Sequence, residues 1–191
     1  MNFYILAGGQ SRRMGRNKAL LKKDGQTLIE RVISALPAKR EDIKIVACAS
    51  HDYDFLSIPV IPDRIPGLGP IGGIHAGLTD SGYQANFFVA CDLPFISCEL
   101  IEKILKNYAG QDVFGVRSNR GREPLCTVYS KRCLPAIESQ IQTEDYSLHN
   151  LFELLDAEFM LVEDPKLFTN LNTQQDWHNF VAQPENKFSG S

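Results

Sequence analysis

Short apolar segments alternate with segments of helical period through the first two-thirds of this 191-residue chain. Residues 2–6, 43–47 and 86–90 are apolar runs typical of buried strands, and residues 28–36 and 98–108 have the spacing of amphipathic helices. Such alternation is typical of a mostly parallel sheet, because parallel neighbouring strands need a crossover connection, which is usually a helix. The sequence therefore predicts an α/β fold with helices on both faces of the sheet.

Weaker patterns along the chain complete this prediction. Further strands are predicted at 57–61, 112–116, 125–129 and 158–162, further helices at 71–79, 131–142 and 147–155, and a short extended piece at 19–21. Capping patterns begin three helices, at Thr27 with Glu30, at Ser97, and at Thr173 with Asp176, the last helix ending at Ala182. We expect a single domain over residues 1–182, followed by a loose polar tail at 183–191.

The composition of the chain excludes several classes of protein. Hydrophobic residues make up 43% of the chain, which is enough for an ordinary core and argues against disorder. The formal net charge is −3, so the chain lacks the positive charge typical of proteins that bind nucleic acids or membrane surfaces. The five cysteines form no C-x-x-C pair, no apolar run reaches eighteen residues, and the N-terminus has no signal-peptide pattern. We expect a reduced, cytoplasmic protein that spans no membrane.

A loop rich in glycine and arginine directly follows the first predicted strand. It reads Leu6-Ala7-Gly8-Gly9-Gln10-Ser11-Arg12-Arg13-Met14-Gly15-Arg16-Asn17-Lys18. Glycine lets backbone N–H groups turn toward an anion without interference from a Cβ, and arginine and lysine place positive charge around the same anion. The loop therefore predicts a cradle for a triphosphate, and the alternative is a solvated basic loop.

Two further polar features lie at the ends of predicted strands, where ligands bind in open α/β sheets. Asp63 precedes a glycine-rich loop at 67–73, and Asp92 follows the apolar strand 86–90 after one residue, Cys91. A carboxylate after such a strand is costly unless it is paired, and Mg²⁺ bound to nucleotide phosphates would pair it. Asp92 is therefore predicted to bind Mg²⁺, with a turn or helix-capping aspartate as the alternative.

The glycines at 67, 69 and 72 also match the fingerprint of dinucleotide-binding dehydrogenases. We discount this match because it follows the third predicted strand rather than the first. In addition, Pro70 lacks the N–H group that a pyrophosphate cradle would use. The sequence has no Walker loop either, because Gly15 is followed by Arg16.

Four polar residues are candidates for contact with a second substrate. Arg122 and Glu123 lie between a glycine turn and the predicted strand 125–129, and either could make this contact, although the solvated tip of a hairpin is the commoner explanation of such charges. Asn170 and Asn172 alternate, so they would point to the same side of an extended segment. They could line the site, or they could equally well only shape the turn before Thr173.

Taken together, these motifs resemble those of the molybdenum cofactor guanylyltransferases, a branch of the nucleotidyltransferase superfamily. The resemblance extends from Asn2 to about Phe180. The motifs that carry it are Leu-Ala-Gly-Gly-x-Ser-x-Arg-Met-Gly-x-x-Lys (6–18), Gly-Pro-x-Gly-Gly (69–73), Cys-Asp-x-Pro-Phe (91–95), Arg-Glu-Pro-Leu (122–125) and Asn-x-Asn-Thr (170–173). The resemblance implies a Rossmann-like fold of the nucleotide-diphospho-sugar transferase type.

The resemblance also implies a reaction and a set of site residues. GMP would move from GTP to the phosphate of molybdenum-loaded molybdopterin, with Mg²⁺ as cofactor and pyrophosphate as the second product. Contact with molybdenum insertion and recipient enzymes would be transient. The residues that the resemblance places on the nucleotide are Leu6, Ala7, Gly8, Gly9, Lys18, Asp63 and Asp92. It places Arg13, Lys18 and Asp92 at the reacting phosphates, Asp92 also at Mg²⁺, and Asn170 and Asn172 toward the pterin.

The base specificity has one hint in the sequence. Cytidylyltransferase relatives tend to read Leu-Ala-Ala-Gly where this chain reads Leu-Ala-Gly-Gly, and the smaller residue at Gly8 suits a larger purine. One alternative is a nucleotidyltransferase that uses CTP or ATP, or another acceptor such as a sugar phosphate or cobinamide phosphate. Another alternative is a nucleotide-binding protein without catalytic activity.

Overall fold

The computed structural model describes residues 1–8, 17–48, 51–63, 65 and 67–183. The strands within these residues are β1 (Phe3–Leu6), β2 (Lys22–Lys23), β3 (Gln26–Thr27), β4 (Ile43–Ala47), β5 (Val60–Pro62), β6 (Ala85–Ala90), β7 (Val113–Ser118), β8 (Gly121–Ser130) and β9 (Ala157–Leu161). The α-helices are α1 (Leu28–Ala35), α2 (Pro70–Asp80), α3 (Cys98–Asn107), α4 (Leu134–Gln142), α5 (Leu148–Glu153) and α6 (Gln174–Ala182).

Seven of these strands form one sheet in the order β5-β4-β1-β6-β8-β7-β9. Neighbouring strands are parallel except at β8, which is antiparallel to both β6 and β7. The two remaining strands, β2 and β3, form a small hairpin. The sheet confirms the predicted α/β fold, because a mostly parallel sheet with intervening helices is what the alternation of patterns indicated.

Helices cover the sheet on both faces, as the sequence predicts. On one face, α1 and α3 pack through residues such as Ile29 and Ile101 against Ile5 of β1. On the other face, α2, α4 and α5 pack against residues such as Tyr4 and Phe88. The neighbours Tyr4 and Ile5 belong to different core clusters because successive side chains of a strand point to opposite faces. The central strands are therefore buried on both sides, which explains their continuous apolar runs.

The beginnings of the helices follow the local sequence. Thr27 and Glu30 form the predicted capping box of α1, and the Ser97 side chain accepts a hydrogen bond from the N–H of Leu100 at the start of α3. Glycine allows α2 to approach the sheet closely, because a Cβ on Gly77 would lie 2.6 Å from Cε1 of Phe88. These local features fix where the helices begin and how near they lie to the strands.

Some predicted boundaries and conformations are wrong. Residues 19–21 were predicted to be extended, but Lys18–Leu20 is a turn of 3-10 helix, because the side chain of Asn17 accepts a hydrogen bond from Ala19 and caps it. The third strand of the predicted order begins only at Val60, after an irregular segment. The helix predicted at 131–142 begins with a separate 3-10 turn before α4. The predicted tail lies outside the described residues from position 184 on.

Among the described residues, every helix is too short or too polar to span a membrane.

Candidate functional site

The ends of the two central parallel strands lie together at one edge of the sheet. The backbone N–H of Ala7 donates to the carbonyl of Val46 at 2.9 Å, and that of Cys91 donates to the carbonyl of Leu6 at 3.2 Å. These bonds continue the ladders just past β1 and β6. The loop after Ala7 and the carboxylate of Asp92 therefore begin from adjacent points of one edge.

The ammonium group of Lys18 lies between two side chains from distant parts of the chain. Its Nζ is 3.2 Å from Oδ2 of Asp92 and 2.8 Å from Oδ1 of Asn172. The Lys18 and Asp92 side chains are each 16% exposed, so this ion pair lies in a hollow rather than on an open surface. This distance shows that Lys18 and Asp92 lie together, and their roles at the phosphates stay predictions.

The segment that carries Asn172 is fixed by the start of α6. The backbone N–H groups of Asn172 and Thr173 both donate to Oδ2 of Asp176, at 2.9 and 2.7 Å. Hydrogen bonds from Thr173 hold the pKa of Asp176 below its usual value, and the nearby charge of Lys18 acts in the same direction. Leu171 also donates its N–H to the carbonyl of Asp92 at 3.4 Å. A capping box thus places Asn172 beside Lys18. Asn170 and Asn172 are both exposed, and their contact with the pterin stays a prediction.

Asp63 lies at the corner where the first loop leaves the sheet. A Cβ built on Gly8 would lie 3.8 Å from its Oδ2, and one built on Gly72 of α2 would lie 3.3 Å from its Oδ1. Leu6, at the end of β1, also lies close to α2, since a Cβ built on Gly73 would be 3.0 Å from Cδ2 of Leu6. Burial raises the pKa of Asp63, although the N–H of Ile65 donates to it. Small residues of α2 therefore leave room for Asp63 beside Gly8.

The single carboxylate of Asp92 suits a metal ion whose other ligands are phosphate oxygens and water. In the described part of the chain, no three histidine, cysteine or acidic side chains are placed to hold a metal ion together. Asp92 offers one carboxylate, next to the ammonium of Lys18. Mg²⁺ commonly binds through one or two carboxylates and completes its shell with phosphate oxygens and water. Asp92 is therefore compatible with Mg²⁺ carried by a polyphosphate.

Arg122 has other partners. Its Nη1 lies 2.6 Å from Oε1 of Glu153 in α5, and its guanidinium lies over the rings of Phe152 and Phe159, at 5.9 and 5.4 Å. Since Val89 pairs with Cys126 in the antiparallel ladder, Arg122 lies beyond the end of β6, on the site's edge of the sheet. The contact of Arg122 with a second substrate stays a prediction. The roles of Gly9 and Arg13 also stay predictions, because these two residues lie outside the described part of the chain.

Sequence reasoning missed two residues next to the site. Asn17 and Tyr53 are hydrogen-bonded to each other at 3.0 Å, and the Tyr53 hydroxyl also lies 3.2 Å from the carbonyl oxygen of Ala7. Tyr53 is a buried residue in the otherwise polar stretch His51–Asp54. An aromatic residue in such a stretch was the only signal, and it does not indicate a partner.

Comparison with known proteins gives a consistent result. Residues 3–159 match the family of the MobA-like NTP transferase domain. The chain is 34% identical to a probable molybdenum cofactor guanylyltransferase of Pelotomaculum thermopropionicum, over 97% of this chain and 94% of the relative. It is also 34% identical to the molybdenum cofactor guanylyltransferase of Vibrio atlanticus, over 94% of both chains.

Solved structures agree with these relatives. Molybdopterin-guanine dinucleotide biosynthesis protein A of Archaeoglobus fulgidus superposes with a TM-score of 0.79 at 26% identity, covering 94% of this chain and 96% of that one. The 4-diphosphocytidyl-2C-methyl-D-erythritol synthase of Anaerococcus prevotii superposes with a TM-score of 0.72 over 95% of this chain and 94% of that one. Its identity is 14%, so it supports the fold alone.

Proposed function

This chain belongs to the MobA-like NTP transferase family, and we propose that it is a molybdenum cofactor guanylyltransferase. It would move GMP from GTP to the phosphate of molybdenum-loaded molybdopterin and release pyrophosphate. The names of relatives 34% identical over nearly the whole chain support the choice of reaction. The observation that carries the proposal is the group formed by Lys18, Asp92 and Asn172 at the edge of the sheet.

Lys18 is suited to hold a phosphate without leaving its present partners. An ammonium group has three hydrogens to donate, and among the described residues two are used, by Asp92 and Asn172. The third can be donated to a phosphate oxygen of the nucleotide. Because both protein partners are themselves fixed to the fold, the charge of Lys18 is held in place before the nucleotide binds, which is the condition for effective electrostatic catalysis.

The transfer needs positioning more than it needs a base. A phosphate monoester is already anionic near neutral pH, so an oxygen of the pterin phosphate can attack the α-phosphorus of GTP directly. The new P–O bond forms as the bond to the β-phosphate oxygen breaks, and pyrophosphate leaves with that electron pair. Lys18 would neutralise charge on the phosphates, and Mg²⁺ held by Asp92 would supply further positive charge.

A substrate panel tests this proposal. The protein is incubated with Mg²⁺, molybdenum-loaded molybdopterin and one of GTP, CTP or ATP, and pyrophosphate release and the dinucleotide product are measured. We expect turnover with GTP. Pyrophosphate release with only CTP or ATP would show that the assignment of the guanine base is wrong. Tight GTP binding without pyrophosphate release, whether the acceptor is molybdopterin, a sugar phosphate or cobinamide phosphate, would indicate a non-catalytic protein.

Two variants test the assigned residues in the same assay. We expect Asp92→Asn and Lys18→Met to lower turnover by about 100- to 1,000-fold, the range found when one stabilising group is removed from a reacting centre. The control is Lys22→Met, since Lys22 is an exposed lysine of the neighbouring hairpin. Near-normal turnover of Asp92→Asn with Mg²⁺ would show that the metal assignment is wrong.

A further inference from the structure

The hydroxyl group of Tyr53 joins the two ends of the glycine- and arginine-rich loop. Tyr53 lies in the 3-10 helix His51–Leu56, between β4 and β5, and its surface is 1% exposed. Its hydroxyl oxygen is 3.2 Å from the carbonyl oxygen of Ala7, near the start of the loop, and 3.0 Å from Nδ2 of Asn17, near its end. One buried side chain from a separate segment therefore bridges both ends.

The hydrogens at this junction can be assigned without conflict. Asn17 donates from Nδ2 to the Tyr53 oxygen, and the Tyr53 proton has the carbonyl of Ala7 at 3.2 Å as its nearer acceptor, ahead of Oδ1 of Asn17 at 3.4 Å. Burial raises the pKa of Tyr53 to about 12, so the phenol keeps this proton at neutral pH. Both hydrogen bonds therefore persist under the conditions of an ordinary activity assay.

Asn17 connects this junction to Lys18. Its Oδ1 accepts a hydrogen bond from the N–H of Ala19 at 3.1 Å and so caps the 3-10 turn that begins at Lys18. Its Nδ2 also donates to Oδ2 of Asp52 at 2.9 Å. The amide of Asn17 is thus held from two sides. The turn that carries Lys18 is fixed relative to the end of β1.

We propose that Tyr53 is a positioning residue, which acts through Asn17 to hold Lys18 at the phosphate-binding hollow. The proposal rests on the proposed function, because it assigns to Lys18 a contact with the phosphates of the nucleotide. Lys18 has little freedom in this arrangement, since its Nζ must lie within hydrogen-bond distance of both Asp92 and Asn172. Loss of the Tyr53 hydroxyl would release the turn and misplace the ammonium group.

The test compares two buried tyrosines that differ in location. Tyr53→Phe removes the hydroxyl at the loop junction, and Tyr4→Phe removes one that donates to Asp80 at the other end of the sheet. In Tyr4→Phe, Lys44 still pairs with Asp80 at 2.6 Å. Nδ2 of Asn2, which donates to the Tyr4 hydroxyl, keeps Oγ of Ser81 at 3.4 Å as an acceptor. Both substitutions are also made in a Lys18→Met background. Each protein is examined for pyrophosphate affinity by calorimetry, for turnover with GTP and molybdopterin, and for thermal stability.

We expect Tyr53→Phe to weaken pyrophosphate binding and to slow turnover by about 10- to 100-fold, because small misplacements of a reacting group cost that much. We expect Tyr4→Phe to match the wild type in both assays at a similar loss of melting temperature. In the Lys18→Met background, Tyr53→Phe should add less than about a twofold effect, since its influence passes through Lys18. A purely structural role would lower both backgrounds by the same factor.

The experiment separates a failure of the role of Tyr53 from a failure of the proposed reaction. Unchanged binding and turnover in Tyr53→Phe, or the same factor in both backgrounds, would overturn the role of Tyr53 while the reaction stands. The expected pattern in pyrophosphate binding without turnover by the wild type would overturn the proposed reaction and support the role of Tyr53. A wild type that does not bind pyrophosphate would overturn both.

Discussion

Replacement of Gly8 by alanine tests how the site selects its base. Gly8 follows β1, and a Cβ built on it would lie 3.8 Å from Cα of Ala47, from the carbonyl oxygen of Val46 and from Oδ2 of Asp63. These are ordinary van der Waals distances, and the φ angle of Gly8 is outside the left-handed region. The free protein therefore accommodates the methyl group. We expect the free energy of unfolding to stay unchanged or to rise by up to about 1 kcal/mol, through the smaller entropy of the unfolded chain.

The same methyl group would occupy space that a bound nucleotide needs. It would lie against Asp63, in the corner proposed for the nucleotide, where cytidylyltransferase relatives tend to have alanine. A larger purine would meet this methyl group, and a pyrimidine would not. One methyl or methylene group in a specificity pocket changes discrimination by about 10- to 200-fold. We expect kcat/KM for GTP to fall by a factor in this range in Gly8→Ala and that for CTP to change by less than about threefold.

The assay is steady-state pyrophosphate release with GTP and with CTP, at saturating acceptor. The matched control is Gly82→Ala, because a Cβ on Gly82 would meet nothing within 4 Å and Gly82 lies between α2 and β6, away from the site. The control should keep the wild-type ratio of the two kcat/KM values. If Gly8→Ala is active and also keeps that ratio, the base does not lie close to Gly8 and the argument from residue size is wrong.

Two further predictions concern stability. Gly77→Ala should lower the free energy of unfolding by about 1–3 kcal/mol, because its Cβ would lie 2.6 Å from the fully buried ring of Phe88. Chemical denaturation should show a smaller loss for Gly73→Ala, because the nearest atoms to its Cβ belong to the flexible side chain of Leu6. Equal losses in the two variants would contradict this prediction. Asp176→Asn should lower the melting temperature at pH 7, because hydrogen bonds from Thr173 stabilise the carboxylate of Asp176 and lower its pKa. The difference in melting temperature between variant and wild type should close as pH falls below 3.8, since protonation of Asp176 removes this stabilisation from the wild type. A difference that is the same at pH 3 and pH 7 would refute it.

Local features of the fold were predictable because their causes lie within a few residues of one another. The first N–H groups of a helix need acceptors, and a side chain at the helix start is the nearest source. Thr27 with Glu30 and Thr173 with Asp176 were therefore identified from spacing alone, and both capping boxes form. The continuous apolar run at 86–90 likewise predicted a strand covered on both faces, which β6 is.

Contacts between distant residues were only partly predictable. Position at a strand end brought Lys18 and Asp92 into one hypothesis, since parallel strands end at a common edge. No such rule places Asn172, which reaches Lys18 only because α6 returns to the first loop. The spacing of Asn170 and Asn172 left their roles open. Both side chains are exposed, and in the described part of the chain Asn172 accepts a hydrogen bond from Lys18.

The charges around the hollow favour a cation that accompanies the nucleotide in the proposed reaction. Among the described residues, the hollow and the adjacent corner hold one ammonium group, Lys18, and the carboxylates of Asp92 and Asp63, while a third carboxylate, Asp176, is near enough to feel the charge of Lys18. Lys18 is already paired with Asp92, and burial raises the pKa of Asp63, which is the sign of a poorly solvated carboxylate. A triphosphate would be repelled by this arrangement unless further positive charge were supplied. In the proposed reaction Mg²⁺ on the phosphates would supply this charge, and it would convert the carboxylate of Asp92 from a repulsive group into a ligand.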